Sequence, residues 1–394
     1  MLRSTTVRRA PRVMALLCAG GAASCPVPGE AHVKWFSKVV NCVSSPLDIA
    51  QVVASPLFAA LFCAALVVMA TVFTVDKQVR RRCKGRPPPA LLSGASGAAA
   101  ASALLRAGVA VYFVCVPWYA QDRPFLLTPE LTSGAAWVPA VQLTVAVAVL
   151  WRSSVPVAAA GIGVLYACAV WSYGWFHLLD YLYFVGIAAF LVLDALQRDT
   201  SAVLRFDLLR LSVGFSLMWV SIEKWVYPEW SYDLLEHQLR QVTMGLDSQF
   251  VVMSAGFVEF CLAFLLVFGG LSARVSSLVL LALLVGAIPL AGVLDAIGHA
   301  PLLVVLLIFA ARPNPMACVG HPRKPWPHRW VLSFAICLLG LMGLYHLAHL
   351  AAYPRGRALL SPNLLVALGL VATWCWQAVR RRGHTGGEKL APPP

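Results

Sequence analysis

Apolar stretches of about 20 residues recur from one end of this chain to the other, and no other feature constrains its fold as strongly. A stretch of that length, coiled as an α-helix, can cross the hydrocarbon core of a bilayer. The composition agrees, because 60% of the residues are hydrophobic and only 12% are charged. The sequence therefore predicts an all-α fold, a polytopic transmembrane helix bundle.

We count about eleven spans, with boundaries that can shift by a few residues. The predicted spans are 51–73, 99–119, 137–151, 155–175, 177–196, 207–226, 250–271, 275–294, 301–312, 330–350 and 362–379. Proline-rich inner stretches at 86–98 and 312–329 are predicted to be linkers. They leave one leading span, a centre of eight spans and two trailing spans, with no segment long enough for a water-soluble core.

The N-terminus has the pattern of a secretory signal peptide. Arginines precede the apolar run 13–24, and Gly29 and Ala31 place small side chains at the positions that signal peptidase recognises. Cleavage there would make His32 the mature N-terminus, on the outer side of the membrane. The alternative is a lipoprotein start at Cys25.

Lysine and arginine are concentrated in alternate loops, which explains the net charge of +14 without a nucleic-acid partner. No basic face with interleaved aromatic residues remains once the spans are set aside. The basic loop residues are Lys77, Arg80, Arg81, Arg82, Lys84, Arg86, Arg152, Arg198, Arg205, Arg274, Arg312, Arg323, Lys324, Arg329, Arg380, Arg381 and Arg382. The positive-inside rule makes these loops and the C-terminus cytoplasmic, and the mature N-terminus periplasmic.

The eight central spans divide into two similar sets of four. The matched segments are Leu104-Leu105-Arg106 with Leu208-Leu209-Arg210, Val141-Gln142 with Val258-Glu259, Arg152 with Arg274, and His177 with His299. Because each set has an even number of spans, the two copies would be parallel, related by an axis along the membrane normal. Chance similarity between apolar helices is the competing interpretation.

This parallel duplication of a four-helix unit defines the predicted organisation of the chain. The segments are a signal peptide (1–31), a short periplasmic N-terminus with the first span and a basic linker (32–96), a first four-helix repeat (97–200), a second four-helix repeat (201–312), a cytoplasmic linker (313–329) and two C-terminal spans with a basic tail (330–394).

Two carboxylates of the second repeat lie within predicted spans. Glu259 is about nine residues into its span, or roughly 13 Å along the helix, where an ionisable side chain costs about 2.5 to 3.5 kcal/mol. We therefore expect it to face the bundle interior, to be paired, or to be protonated. Glu223 and its neighbour Lys224 lie near the outer boundary. A proton relay or ligand contact is the functional interpretation, and cross-helix bonding or interfacial anchoring the alternative. Arg106 and Arg210 are expected to snorkel toward the cytoplasm.

Six of the nine histidines fall at or near the predicted outer surface: His32, His177, His237, His299, His346 and His349. His177 with Asp180, and His346 with His349, share a helix face, and Asp295 lies close to His299 at an outer bend. Such pairs can bind copper, iron or haem, and a free N-terminal His32 can chelate copper. Interfacial hydrogen bonding is the alternative, since neither an HExxH nor a CxxC motif is present.

One set of residues resembles a known family. The second repeat carries Arg210, Gly214, Glu223-Lys224, Pro228, Val258-Glu259, Gly269-Gly270 and Arg274. This order resembles the DoxX-like membrane proteins, whose small members are four-helix units, over roughly residues 205–311. The family includes the small subunit of a thiosulfate:quinone oxidoreductase, so the resemblance implies a quinone-linked redox setting. The chain departs from it in being far longer and in lacking cysteine pairs. Residues 31–36 also resemble the mature start of proteobacterial membrane proteins with this unit, which implies a bacterial inner membrane.

Three functions follow from these observations. The first is a membrane subunit of a quinone-linked oxidoreductase that meets a quinone, or a periplasmic or membrane redox partner protein, from the outer side. In it Glu223 and Glu259 would handle protons. The second is a transporter for a metal such as copper or for a small solute, and the third is a non-catalytic assembly factor. The resemblance favours the first, whose expected binding residues are His177, Asp180, Lys224, Asp295 and His299.

Overall fold

The computed structural model describes residues 43–83, 90–121, 124–196, 201–237, 243, 245–312, 314, 327–354 and 364–372. The predicted signal peptide, His32 and the basic C-terminal tail lie outside these residues. Within them the fold is helical, and the one pairing of extended backbone is an isolated bridge between Phe125 and Thr132. The all-α prediction is confirmed for the described chain.

The α-helices are α1 (Ile49–Ala54), α2 (Pro56–Arg82), α3 (Gly94–Tyr119), α4 (Val138–Ala148), α5 (Val155–Tyr173), α6 (Leu182–Leu196), α7 (Ser201–Val226), α8 (Glu229–His237), α9 (Ser248–Phe268), α10 (Leu271–Ala291), α11 (Val293–Ala311) and α12 (Pro327–Ala352). A 3₁₀-helix, His177–Tyr181, leads directly into α6. Residues 364–372 are also helical.

Local sequence signals set several of these boundaries. Proline lies in the first turn of α2, α4 and α5, where its missing N–H costs nothing. The Asp247 side chain accepts a hydrogen bond from the backbone N–H of Phe250 at 3.0 Å and so caps the start of α9. Gly292 separates α10 from α11 at a φ of 89°, a conformation that only glycine adopts cheaply.

Seven helical segments in the described chain are long and apolar enough to cross a membrane. They are Pro56–Arg82, Gly94–Tyr119, Val155–Tyr173, His177–Leu196, Ser248–Phe268, Leu271–Pro289 and His328–Ala352. Helix α4 and the end of α11 are apolar but shorter, and α7 is long but contains five charged residues. The helices suit a multi-pass membrane protein, whereas the total of about eleven spans stays a prediction.

Eight helices pack in a closed cycle. Each of α3, α4, α5, α6, α7, α9, α10 and α11 contacts the next, and α11 returns to contact α3. Their inward faces form one large apolar core, to which Leu105, Phe190 and Phe309 belong. Outward faces expose large apolar side chains such as Val164 and Trp171, as expected for helices solvated by lipid.

Helices α2 and α12 pack on each other and cover one side of this cycle. Helix α2 lies on α9 and α10, while α12 lies on α7. A second apolar cluster fills the space between them, with Phe58 of α2 against the Trp225 and Phe257 rings at 5.5 and 4.9 Å. The half that contains Glu223 and Glu259 is therefore more enclosed than the other half.

Arg210 is buried, with 2% of its surface exposed, so the expectation that it snorkels is wrong. Its Nη1 donates to the carbonyl oxygen of Leu266 at 3.0 Å, and its guanidinium lies 4.1 Å from the centre of the Phe309 ring. Snorkelling assumes a helix that faces lipid, whereas this face of α7 is closed off by α9 and α11. Arg106 is half-buried and donates from Nε to the carbonyl oxygen of Val149 at 2.7 Å.

Candidate functional site

One end of the helix bundle holds a buried pair of ionisable side chains, His177 and Glu130. His177 Nε2 lies 3.1 Å from Glu130 Oε1, and the two side chains are 5% and 0% exposed. Glu130 belongs to the loop between α3 and α4, and His177 begins the 3₁₀-helix. A buried carboxylate gains most from such a partner, because burial without a hydrogen bond is costly.

Asp180 extends this acid–base group along the 3₁₀-helix. Side chains three residues apart eclipse each other in this helix type, so His177 and Asp180 share one edge, as their spacing predicted. Asp180 is buried, and the rings of Tyr173 and Tyr181 lie 6.0 and 6.3 Å from the His177 ring. The loop before α4 and the 3₁₀-helix thus bring together a buried cluster of titratable groups.

Lys224 and Glu259 form an ion pair between α7 and α9. Lys224 Nζ reaches from the last turn of α7 to within 2.7 Å of Glu259 Oε2, near the middle of α9. The side chains are 13% and 31% exposed, so the pair is largely but not fully enclosed. Pairing is one of the three outcomes expected for Glu259, and it lowers the cost of holding a charge inside an apolar helix.

Glu223 faces a different direction from its neighbour Lys224. The Tyr345 hydroxyl of α12 donates to Glu223 Oε1 at 3.3 Å, and Glu223 is buried. Trp219, one turn earlier on α7, lies 4.8 Å from the Tyr345 ring. Phe176, which precedes His177, packs against both of these rings at 5.8 and 5.1 Å. Glu223 therefore lies in an aromatic cluster between α7 and α12.

Two histidines of α12, His346 and His349, lie near this aromatic cluster. His346 Nδ1 lies 2.8 Å from the carbonyl oxygen of Met342, and Nε2 lies 2.9 Å from that of Leu47. The His349 ring packs edge-on against Phe176 at 5.4 Å. For His346 this geometry favours the hydrogen-bonding interpretation over metal ligation, because a backbone carbonyl oxygen already lies at hydrogen-bonding distance from each ring nitrogen.

No group of three or more His, Cys, Asp or Glu side chains in the described chain is placed to hold a metal ion. His299 is half-buried on α11, and the side chain of Asp295 is not among those described. The copper chelate predicted at His32 also falls outside the described residues. The expected set of binding residues is therefore divided, with His177 and Asp180 in one cluster and Lys224 in an ion pair with Glu259.

Glu130 is the residue that the sequence did not single out. It lies in a loop between apolar spans that was predicted to be on the outer side, where an acidic side chain is common. Its burial depends on how that loop folds back over α4. The loop is held by Gln142, which donates to the carbonyl oxygens of Phe125 and Leu126 at 2.6 and 3.1 Å. The sequence did hold one signal for this fold-back. A glutamine inside an apolar helix, Gln142, needs hydrogen-bond partners when it is buried, and a neighbouring loop can supply them.

No protein-family model, curated protein or solved structure matches this chain. The DoxX-like resemblance over residues 205–311 accordingly stays a prediction from the residues that carry it.

Proposed function

We propose that the eight-helix cycle consists of two parallel copies of one four-helix unit. Helices α3 to α6 form the first copy, and α7, α9, α10 and α11 form the second. The packing supports this division, because the first helix of each copy contacts the last helix of the other. A two-fold axis along the membrane normal between the copies would produce both contacts at once.

Two pairs of equivalent hydrogen bonds support the same division. Arg106 donates to the Val149 carbonyl in one copy, and Arg210 to the Leu266 carbonyl in the other. Val149 lies eight residues after Val141, and Leu266 eight after Val258, so the sequence alignment makes the acceptors equivalent. Arg152 and Arg274 are aligned as well. Each bonds to a carbonyl in the last turn of its copy's fourth helix, that of Asp194 or Ala310.

We propose that the protein is a bacterial inner-membrane subunit of a quinone-linked redox assembly, with proton-handling groups toward its periplasmic side. The Lys224–Glu259 ion pair carries this proposal. Holding an ion pair between apolar helices costs free energy, because both charges lose contact with water. Charged groups in such positions commonly mark proton or substrate paths. Its position within the segment that resembles the DoxX-like proteins supports the quinone-linked setting.

Quinone content of the purified protein tests this function. We expect the wild type, isolated in mild detergent, to retain about one quinone per chain on solvent extraction, as a specific membrane site would. Glu259→Gln should lower that content, because it removes the carboxylate and leaves the Lys224 ammonium without its partner. Glu229→Gln, an exposed outer position, is the matched control. A wild type that neither retains nor rebinds quinone would contradict the proposal, and so would full content in Glu259→Gln.

A transporter is the second candidate, and the closed cycle of two parallel units supports it. Such repeats form the framework of several transporter folds, with the site at their interface. Proton-coupled solute uptake into proteoliposomes, lost in Glu259→Gln and retained in Glu229→Gln, would favour this function over the first. The copper-handling version has less support, since His346 contacts two backbone carbonyl oxygens.

A further inference from the structure

A long apolar groove of about 530 Å³ runs along one side of the molecule, between α2, α9 and α10. Its walls are formed by side chains such as Val68, Phe257, Val258 and Val275, and it is open toward the exposed faces of those helices. All three helices are long and apolar enough to cross a membrane. In a bilayer the groove would therefore open onto the acyl chains of surrounding lipid.

One end of the groove is polar and basic. It finishes at Asp76 and Ser272, and Arg80 lies one turn beyond Asp76 on the same face of α2. A Cβ atom at Gly270 would lie 3.1 Å from Arg80 Nη2, so this guanidinium sits beside the start of α10. Arg81 and Arg82 follow it and are exposed. This end of α2 is predicted to be cytoplasmic.

Asp76 lowers this positive charge but does not cancel it, because one carboxylate stands against Arg80, Arg81 and Arg82. Oδ2 accepts hydrogen bonds from the Gly270 N–H at 2.9 Å and the Ser272 hydroxyl at 2.6 Å, and Oδ1 accepts one from the Ser272 N–H at 3.0 Å. The start of α10 thus partly balances the charge of Asp76. The half-buried Arg80 and the two exposed arginines after it therefore leave a net positive charge beside the groove.

We propose that the groove binds one anionic phospholipid, with an acyl chain between α2, α9 and α10 and the headgroup phosphate against Arg80. Apolar walls that end in arginines at the cytoplasmic side match both parts of that molecule. Arginine is well suited to phosphate because its donors form a planar fork. The site goes beyond the proposed function, since neither Lys224 nor Glu259 lines the groove.

Native mass spectrometry of the purified protein tests the site. The protein is mixed with either phosphatidylglycerol or phosphatidylcholine, and the two lipids have identical acyl chains. We expect one phosphatidylglycerol to bind, about fivefold more tightly than phosphatidylcholine, which corresponds to roughly one well-placed basic contact. Arg80→Gln should remove most of that preference. Arg82→Gln, with the same change in charge but further from the groove, should retain it.

Two neighbouring substitutions test the groove itself. Val68 lines it and Val67 does not, although both are exposed on α2. Val68→Trp should weaken phosphatidylglycerol binding by about tenfold or more by filling the groove, and Val67→Trp should leave binding unchanged. Ala64→Phe, also in the lining, replaces Val68→Trp if that variant is not monodisperse.

Three results would overturn the proposal: equal binding of the two lipids, equal losses from Val68→Trp and Val67→Trp, or equal losses from Arg80→Gln and Arg82→Gln. Displacement of the bound phospholipid by a long-chain quinone would instead assign the groove to a quinone tail. The quinone test above depends on a different residue, Glu259. A negative result for one proposal therefore does not contradict the other.

Discussion

At the level of single residues, several of the enclosed ionisable side chains are held in pairs. Lys224 and Glu259 are paired across two helices, and His177 and Glu130 across a loop and a 3₁₀-helix. The local sequence made Glu259 conspicuous as a charge in an apolar run. Its partner could not be predicted, because that depends on the rotation of α7 against α9. Arg210 was misjudged for the same reason: its helix face looks lipid-facing until α9 and α11 are placed.

Removing one member of the Lys224–Glu259 pair should destabilise the protein more than removing both. Glu259→Gln leaves an enclosed ammonium without its counter-ion, and we expect a loss of about 1 to 2 kcal/mol, reduced from fully buried cases because the pair is partly exposed. The double variant Lys224→Met and Glu259→Met should recover most of this loss. Thermal unfolding in detergent, followed by circular dichroism, measures both. A double variant less stable than the single one would contradict the pairing.

The His177–Glu130 contact should appear as a coupling energy. His177→Ala and Glu130→Ala each leave a buried polar partner without its contact. The change in the free energy of unfolding of the double variant should therefore differ from the sum of the two single changes by about 1 to 3 kcal/mol. His177→Ala combined with Glu229→Ala, an exposed position, should be additive within about 0.5 kcal/mol. Additive effects in the first pair would mean that the buried contact does not form.

At the level of elements, the sequence predicted most helices well because the apolar period and length are strong signals. The predicted spans 99–119, 250–271 and 330–350 correspond to α3, α9 and α12, with ends that differ by a few residues. The 3₁₀ turn at the start of the span 177–196 was not predicted. Hydropathy does not distinguish a 3₁₀ turn from an α turn, and here the tighter turn aligns His177 with Asp180.

Asp76 links two elements that are almost two hundred residues apart, by capping α10 from α2. Asp76→Ala should cost about 1 to 2 kcal/mol of stability, because two backbone N–H groups at the start of α10 lose their acceptor. Ser272→Ala removes only the hydroxyl donor and should cost less than half as much. Thermal unfolding of the two variants measures the difference. Equal effects would show that the hydroxyl, and not the backbone cap, provides the stabilisation.

At the level of the whole molecule, the packing order shows that helices α3 to α6 and helices α7 to α11 do not form two separate bundles. In a separate four-helix unit the first helix would pack against the fourth, whereas here α3 packs against α11 and α6 against α7. The two sets of helices therefore complete each other's packing. The sequence suggested the duplication, but it carried no information about which helices would meet, since apolar faces of similar composition are interchangeable.

Closure of the cycle between α3 and α11 is measured most directly by a disulfide cross-link. A Cβ at Gly108 would lie 3.1 Å from Val304 Cβ, close enough for Gly108→Cys and Val304→Cys to bond after a small adjustment. With a protease site inserted at residues 197–200, cleaved protein carrying both substitutions should stay at full length on a non-reducing gel and separate on reduction. Gly163→Cys with Val304→Cys is the control, because Gly163 faces open space. The predicted result is that the cleaved Gly108→Cys, Val304→Cys protein runs at full length on the non-reducing gel, whereas the cleaved control protein runs as two fragments. Two fragments from the Gly108→Cys, Val304→Cys protein under oxidising conditions would contradict the closed eight-helix cycle.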